Sequence, residues 1–397
     1  MGSRNQVIDA GRVAAMLAVI CCHALLYFVR VGDGSWEVVP WAPGPVMWWL
    51  TWVFALLPLF FVAAGFGAAA ALESVSAGYI TRRVQALASQ LAVNLALFAG
   101  VGTAFAWFWS AAAAAEYSAR FGQLFWFLVV YLLLTAAAPV LARTSDRVLS
   151  AIAAALVPAI AAVDYLARDA WDLHWLNLVL VWPLAFIWGM GYRRGWLRAV
   201  PTWGLAVLAA ACYGVIALLV GFAGYPVAAV AWADALVANI QPPTLAMVPL
   251  SLAQLCLLAI ADRLWTPRFR WLRAANALVF PAYLWHIWLI IAANAGFAGL
   301  AMLWPAASGP GWSQWAVLAF SLALVAATVP LLARVRLPIP RISRTRATAA
   351  YVFLTGGLFA LWQFGAVLHP ATPEAALAVL LTALGLAAAL ARPRRGG

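Results

Sequence analysis

The sequence contains no lysine, and charged residues of either sign make up only 9% of its 397 residues. Soluble domains carry roughly a quarter of their residues as charged side chains, so this scarcity excludes an ordinary water-soluble fold. Hydrophobic residues reach 67%, which is more apolar surface than the core of a globular chain of this length can bury. The composition therefore predicts an integral membrane protein.

Cysteine is scarce as well, with four residues that all lie in apolar stretches: Cys21, Cys22, Cys212 and Cys256. They show neither the spacing of a metal-binding motif nor the loop positions of a disulfide framework, so we expect no metal or redox site. A cleavable signal peptide is not expected either. The first apolar stretch carries Asp9 and Arg12 and has no short, uncharged core. It reads as a retained first helix.

Apolar runs of about 20 residues, the length that crosses a bilayer, predict an all-α, polytopic membrane helix bundle with about 12 transmembrane helices. The predicted spans are 7–30, 46–72, 84–110, 123–142, 149–166, 176–192, 199–222, 243–261, 275–303, 314–333, 349–368 and 374–391.

The charges between these spans alternate in sign and thereby orient the chain. One set of alternate loops and termini holds twenty arginines against three acidic residues, and the other set holds three arginines against eight acidic residues. By the positive-inside rule the arginine-rich set, including both termini, is cytoplasmic. The distribution explains the net charge of +12 without a nucleic-acid partner. It indicates a multi-pass membrane protein with both termini on the cytoplasmic side.

Arg12 and His23 lie eleven residues apart in the first span, which places them within about 20° of one helix face and about 16 Å apart along the axis. Ionisable groups inside a span are costly and usually functional. The pair suits a long ligand with an anionic head at Arg12, a good phosphate partner, and a reactive hydroxyl near His23, a possible general base. The alternative is an interfacial Asp9–Arg12 pair together with a histidine that bonds a neighbouring helix.

His286, in the ninth predicted span, lies about 20 Å along that span, at a depth comparable to that of His23. The two histidines could line one cavity, or His286 could form a single interhelical hydrogen bond. Arg82 and Arg83 open the third span at the cytoplasmic side. They are either part of the positive-inside charge or a phosphate-binding pair.

Five stretches, in order between residues 5 and 290, together resemble the membrane acyltransferase-3 family. They are Ile8–Ala15 followed by His23; Pro58–Phe66; Trp126–Leu128 with Tyr131 and Pro139; Asn239–Thr244 with Gln254 and Asn276; and Tyr283–His286. An arginine, ten residues and a histidine in the first helix mark that family.

The resemblance implies that the protein transfers an acyl group from cytoplasmic acyl-CoA, with acetyl-CoA as the expected donor substrate and no metal. The implied acceptor is a hydroxyl of a cell-envelope glycan, a lipid-linked sugar or a similar molecule. Arg12, and with it Arg82 and Arg83, would engage the donor. His23 would be the essential catalytic histidine, which activates the acceptor hydroxyl or briefly carries the acyl group. His286 would be the second catalytic histidine, acting as an acid or base or as a positioning group. The expected location is a plasma (inner) membrane of bacterial type.

The resemblance divides the chain into an acyltransferase-like transmembrane domain at 5–333 and a remainder at 334–397, made of a cytoplasmic loop and two additional helices. Two other functions fit a twelve-span chain. A secondary transporter of a small solute would use paired intramembrane charges, and a non-catalytic assembly partner of envelope enzymes would tolerate replacement of both histidines.

Overall fold

A computed structural model describes residues 5–32, 35–74, 78–167, 171–265, 269–304, 306 and 312–391. The arginines at the two termini, Arg4 and Arg392–Arg395, lie outside the described residues. Nearly all of the described chain is helical. The exceptions are one small hairpin, one 3-10 helix at Trp171–Asn177 and the connecting segments.

The helices, in chain order, are α1 Gln6–Leu25, α2 Pro45–Phe54, α3 Leu57–Ser74, α4 Tyr79–Phe108, α5 Ala111–Gly122, α6 Phe125–Arg143, α7 Asp146–Leu166, α8 Leu178–Arg194, α9 Thr202–Phe222, α10 Met247–Leu264, α11 Arg270–Leu303, α12 Ser313–Leu332, α13 Arg344–Phe364 and α14 Glu374–Leu390. The strands are β1 Tyr27–Gly32 and β2 Ser35–Pro40.

These helices confirm the predicted fold class, a polytopic helical membrane bundle. Eleven helical segments among the described residues are long and apolar enough to cross a membrane, with α2 and α3 counted as one segment. The twelfth predicted span, α14, is apolar but has only 17 residues. At 1.5 Å per residue its length is about 26 Å, close to the thickness of the hydrocarbon core.

The first span ends earlier than predicted, at Leu25 rather than near Arg30. The residues that follow form β1, which pairs antiparallel with β2. Valine and aromatic residues dominate β1 and favour extended backbone, and Arg30 forms an ion pair with Glu37 directly opposite on β2. His23 therefore lies in the last turn of α1 rather than in the middle of a longer span.

The second predicted span is broken at Ala55 and Leu56 into α2 and α3. Pro58 explains the break, because proline lacks an N–H group and its ring clashes with the preceding turn of a helix. In a bilayer the freed backbone groups need protein partners. The side chain of Gln254 on α10 supplies one, donating to the Ala55 carbonyl at 2.9 Å.

The chain packs as two units. The first unit comprises residues 1–70 and 141–330, and the second comprises 71–140 and 331–397. The second unit thus joins the last two helices to α4 and α5. In it the Gln85 side chain on α4 donates to the carbonyl of Pro340 at 2.8 Å and to that of Ala389, on α14, at 3.0 Å. The residues after 333 therefore pack with helices from within the predicted acyltransferase-like domain.

Within the first unit, glycines allow α3 and α8 to touch backbone to backbone. A Cβ atom added to Gly65 would lie 1.9 Å from the Phe186 carbonyl oxygen, and one added to Gly189 would lie 1.9 Å from the Val62 carbonyl oxygen. Small residues are the usual means by which membrane helices approach closely. Next to this contact, Phe61 stacks on Trp182 with ring centroids 4.8 Å apart.

Gly189→Ala should lower the stability of the protein by about 1–3 kcal/mol, the usual cost of overpacking, because the new methyl group meets backbone that cannot move aside. The measurement is the thermal midpoint in detergent. Gly67→Ala is the matched control on α3, since a Cβ at that position meets nothing within 4 Å. Equal midpoints for the two variants would contradict the close approach.

Candidate active site

His23 on α1 and His286 on α11 form a hydrogen bond with each other, which is the interhelical bond that the sequence left open as the alternative to a cavity lined by both histidines. The Nδ1 atom of His23 lies 2.8 Å from the Nε2 atom of His286, and the Nδ1 atom of His286 lies 2.7 Å from the Tyr283 carbonyl oxygen. His286 is fully buried, whereas His23 is half-buried. The two histidines therefore form a hydrogen-bonded chain that ends at the backbone of α11.

This chain fixes where the protons are. A carbonyl oxygen only accepts hydrogen bonds, so His286 Nδ1 carries a hydrogen and donates it to Tyr283. In the neutral ring the other nitrogen, Nε2, then has the lone pair and accepts, and the donor to it is His23 Nδ1. The remaining nitrogen of His23, Nε2, then has a lone pair that neither of these two hydrogen bonds uses.

The orientation of the rings supports a hydrogen bond rather than stacking. The two ring planes are inclined by 9°, and their centroids are 5.0 Å apart. That separation is close to the largest one compatible with a nitrogen–nitrogen contact of 2.8 Å, so both nitrogens lie near the line between the centroids. The rings are therefore nearly coplanar, an arrangement that allows a linear N–H···N bond.

Helix packing brings the two histidines to the same level. Met16 and Ile20 on α1 share an apolar cluster with Val279 and Ala282 on α11. On both helices the histidine follows this cluster in sequence, so α1 and α11 run in the same direction here. Parallel helices are what the predicted topology requires of the first and ninth spans, which both run from the cytoplasmic side outward.

The N-terminal end of α1 is held by a polar cluster that the sequence did not reveal. Asn5 caps the helix by accepting from the backbone of Val7 and Ile8, and its amide donates to both carboxylate oxygens of Asp262 at 2.9 Å. The hydroxyl of Tyr192 donates to the same carboxylate at 2.5 Å. The cluster ties α1 to α8 and α10 and so helps to orient the helix face that carries Arg12 and His23.

Arg12 lies in the same helix as His23, three turns nearer to the N-terminus, and is half-buried. The preceding Gly11 packs tightly, since a Cβ there would lie 3.2 Å from the Leu59 side chain and 3.3 Å from that of Leu258. Because α1 is one continuous helix from Gln6 to Leu25, Arg12 and His23 keep their predicted common face.

Arg82 and Arg83 belong to the second unit, in the first turn of α4, and their side chains differ. Arg82 is exposed. The guanidinium group of Arg83 lies over the ring of Tyr79, 5.5 Å from its centroid. The assignment of these two arginines to a phosphate site stays a prediction.

A second polar cluster joins the segments at the predicted outer side of the first unit. Asp164, at the end of α7, is 6% exposed. Its carboxylate accepts hydrogen bonds from the Asn177 amide at 2.7 Å, from the Tyr225 hydroxyl at 2.9 Å and from the Leu245 backbone at 2.6 Å. In the sequence Asp164 is one of the eight acidic residues of the predicted outer loops, and no local pattern shows that three separate segments converge on it.

His174, on the 3-10 helix, is 7% exposed. Its Nε2 atom lies 3.9 Å from the Asp164 carboxylate, because the 3-10 helix folds back onto α7. No group of three or more histidine, cysteine, aspartate or glutamate residues among the described ones is arranged to hold a metal ion.

The fold and the site together define a multi-pass helical membrane protein with a hydrogen-bonded pair of histidines between two of its helices. Residues 5–333 match a family model described as an acyltransferase domain. The match covers most of the chain, so the chain belongs to the membrane acyltransferase-3 family and is a membrane acyltransferase. Neither the curated proteins nor the solved structures contain a significant match.

The proton arrangement of the pair is directly testable by nitrogen NMR of protein labelled at histidine, since the chain has only four histidines. We expect both His23 and His286 to be neutral and to carry their proton on Nδ1, because each is then the donor that its neighbour requires. Replacement of His174 and His369 by glutamine would assign the signals. A proton on Nε2 of His286 would contradict the hydrogen-bonded chain.

Proposed function

We propose that the protein is an O-acyltransferase that moves an acyl group, most simply acetyl, from cytoplasmic acyl-CoA to a hydroxyl of an envelope glycan or lipid-linked sugar. The observation that carries this proposal is the histidine pair. Its proton order leaves the lone pair of His23 Nε2 available to accept a proton from a hydroxyl. General-base assistance of this kind contributes about 10²–10⁴-fold to a rate.

The reaction balances with His23 alone moving the proton. The acceptor oxygen attacks the thioester carbon while its proton passes to His23 Nε2. The carbon–sulfur bond then breaks, and the imidazolium returns the proton to the sulfur of the departing thiol. An ester and free CoA are formed, and His23 is neutral again.

In this mechanism His286 is a positioning residue. The bond from His23 Nδ1 to His286 holds the His23 ring so that its Nε2 nitrogen faces away from His286. When His23 becomes charged, the same bond becomes charge-assisted and hence stronger. His286 does not take the proton onward, because its own Nδ1–H is committed to a carbonyl group that cannot accept a proton.

The layout of α1 supports a donor that spans part of the membrane. Arg12, near the predicted cytoplasmic end, is about 16 Å along the helix from His23. Coenzyme A has its phosphates at one end and its thioester at the other, joined by an extended arm. Arg12 would hold the phosphates by paired hydrogen bonds, and the acyl carbon would then lie near His23.

The defining experiment uses wild-type and His23→Ala protein in nanodiscs, with labelled acetyl-CoA and an envelope extract. We expect release of the CoA thiol and incorporation of label in wild type, and a loss of about 10²-fold or more of both in the variant. Normal transfer by correctly inserted His23→Ala protein would refute the proposal. Solute counterflow without consumption of acyl-CoA would favour the secondary transporter.

Two substitutions of His286 test whether the residue acts through its hydrogen bond to His23 or only through the space that it fills. His286→Gln keeps an oxygen that can accept the bond from His23 Nδ1, whereas His286→Leu removes the acceptor. We expect the Leu variant to lose about 10²-fold in kcat and the Gln variant to retain at least about ten times more activity than the Leu variant. Equal losses would show that His286 acts through packing alone.

The role of Arg12 predicts a difference between two donors. Arg12→Gln should raise the KM for acetyl-CoA by about tenfold or more, the value of one charge-assisted contact. It should leave the KM for S-acetylpantetheine, which has no phosphate, unchanged. The measurement is the initial rate of thiol release with each donor, and equal effects on both would remove Arg12 from phosphate binding.

A further inference from the structure

A cluster of tryptophans lies at the predicted outer end of the first unit. We call Trp41, Trp48, Trp232 and Trp315 the outer aromatic cluster. Trp41 packs edge-on against Trp232, with ring centroids 5.7 Å apart, and against Trp315, with centroids 5.9 Å apart. The ring planes are inclined by 84° and 73° in these two pairs, so Trp41 covers neither ring face to face.

This cluster adjoins the end of α1 that carries His23. Cys22, Leu25 and Leu26 pack in the same apolar group as Trp41 and Trp232. Leu26 follows His23 by three residues and retains helical backbone angles. It is therefore on the same side of the helix and about 5 Å farther along the axis.

Polar groups are built into the same place. The carboxylate of Asp234 accepts from the Gly44 backbone at 2.8 Å and from the Trp48 indole at 3.1 Å, yet the residue is exposed. Each carboxylate oxygen accepts more than one hydrogen bond, so capacity for a ligand hydroxyl remains.

We propose that the outer aromatic cluster binds the pyranose ring of the acceptor. The identification of this sugar as the acceptor rests on the proposed acyl transfer. A sugar ring has one face of C–H groups, which suits the electron-rich face of an indole. It also has hydroxyls at its rim, which can donate to the exposed carboxylate of Asp234. A lipid chain would use the rings but has no hydroxyl to donate to this carboxylate.

The arrangement differs from that of a simple interfacial anchor. Anchoring needs only single tryptophans that reach the headgroups. Here the rings come from four different parts of the chain: Trp41 after β2, Trp48 on α2, Trp232 in the loop after α9, and Trp315 on α12. Asp234 fixes two of these parts to one another. A ring bound there would lie next to the last turn of α1, the turn that carries His23.

The test measures sugar binding without any acyl donor. Saturation-transfer NMR on the protein in nanodiscs would use methyl β-D-glucopyranoside, methyl α-D-mannopyranoside and methyl N-acetyl-β-D-glucosaminide as probes, with open-chain sorbitol as the reference. We expect at least one pyranoside to receive saturation mainly on one ring face. Trp315→Ala should weaken its binding by about five- to tenfold, the range typical of aromatic contacts.

Trp203→Ala is the matched control, since Trp203 is an exposed tryptophan on α9, and it should bind the sugar as wild type does. Trp315→Tyr, which keeps an aromatic face, should restore most of the affinity and so shows that loss in the Ala variant is not misfolding. Binding of none of the three pyranosides, equal signals from sorbitol, or unchanged affinity in Trp315→Ala would overturn the proposal.

Failure of this inference and failure of the proposed function are distinguishable. If the pyranoside binds through Trp315 but wild type never consumes acyl-CoA, the acyl-transfer mechanism is wrong and the sugar site stands. If acyl transfer depends on His23 but Trp315→Ala leaves both sugar binding and the acceptor KM unchanged, the acceptor binds elsewhere.

Discussion

The bilayer offers almost no water to hydrogen-bond to, so every buried donor and acceptor of this chain needs a partner within the protein. This constraint explains why most of the described chain is helical. It also explains why the break between α2 and α3, at Ala55, is met by the side chain of Gln254. The same constraint acts on the histidine pair, where the Tyr283 carbonyl dictates the proton position in His286 and, through it, in His23.

A histidine in the place of the more familiar carboxylate changes the chemistry of the pair. A carboxylate beside a catalytic imidazole would add a negative charge to a low-dielectric site, which is costly unless that charge is compensated. A neutral imidazole with a fixed tautomer supplies the same acceptor for the Nδ1–H bond without a buried charge. In the proposed mechanism a charge arises only while His23 holds the proton, and it is then delocalised over one ring and shared with a hydrogen-bonded neighbour.

The two packing units do not follow the linear division of the chain. The family match ends at residue 333, yet the segment beyond it bonds to α4 through Gln85, and Leu337 exchanges hydrogen bonds with Ser89. The last two helices are therefore part of the unit that carries Arg82 and Arg83. Removal of residues 334–397 would leave polar side chains of α4 without partners inside the membrane.

The sequence by itself determined the class of protein, the positions of nearly all spans and the common face of Arg12 and His23, because hydropathy and helical periodicity are local properties. It also raised the meeting of His23 with His286 as one possibility from their similar depth. Only the tertiary structure decided that the two rings touch, because contact depends on how α1 and α11 pack and in what register. It alone revealed the early end of α1, the close contact at Gly65 and Gly189, and the convergence of three segments on Asp164. Each of these is set by residues far apart in sequence, and no local pattern encodes such a meeting.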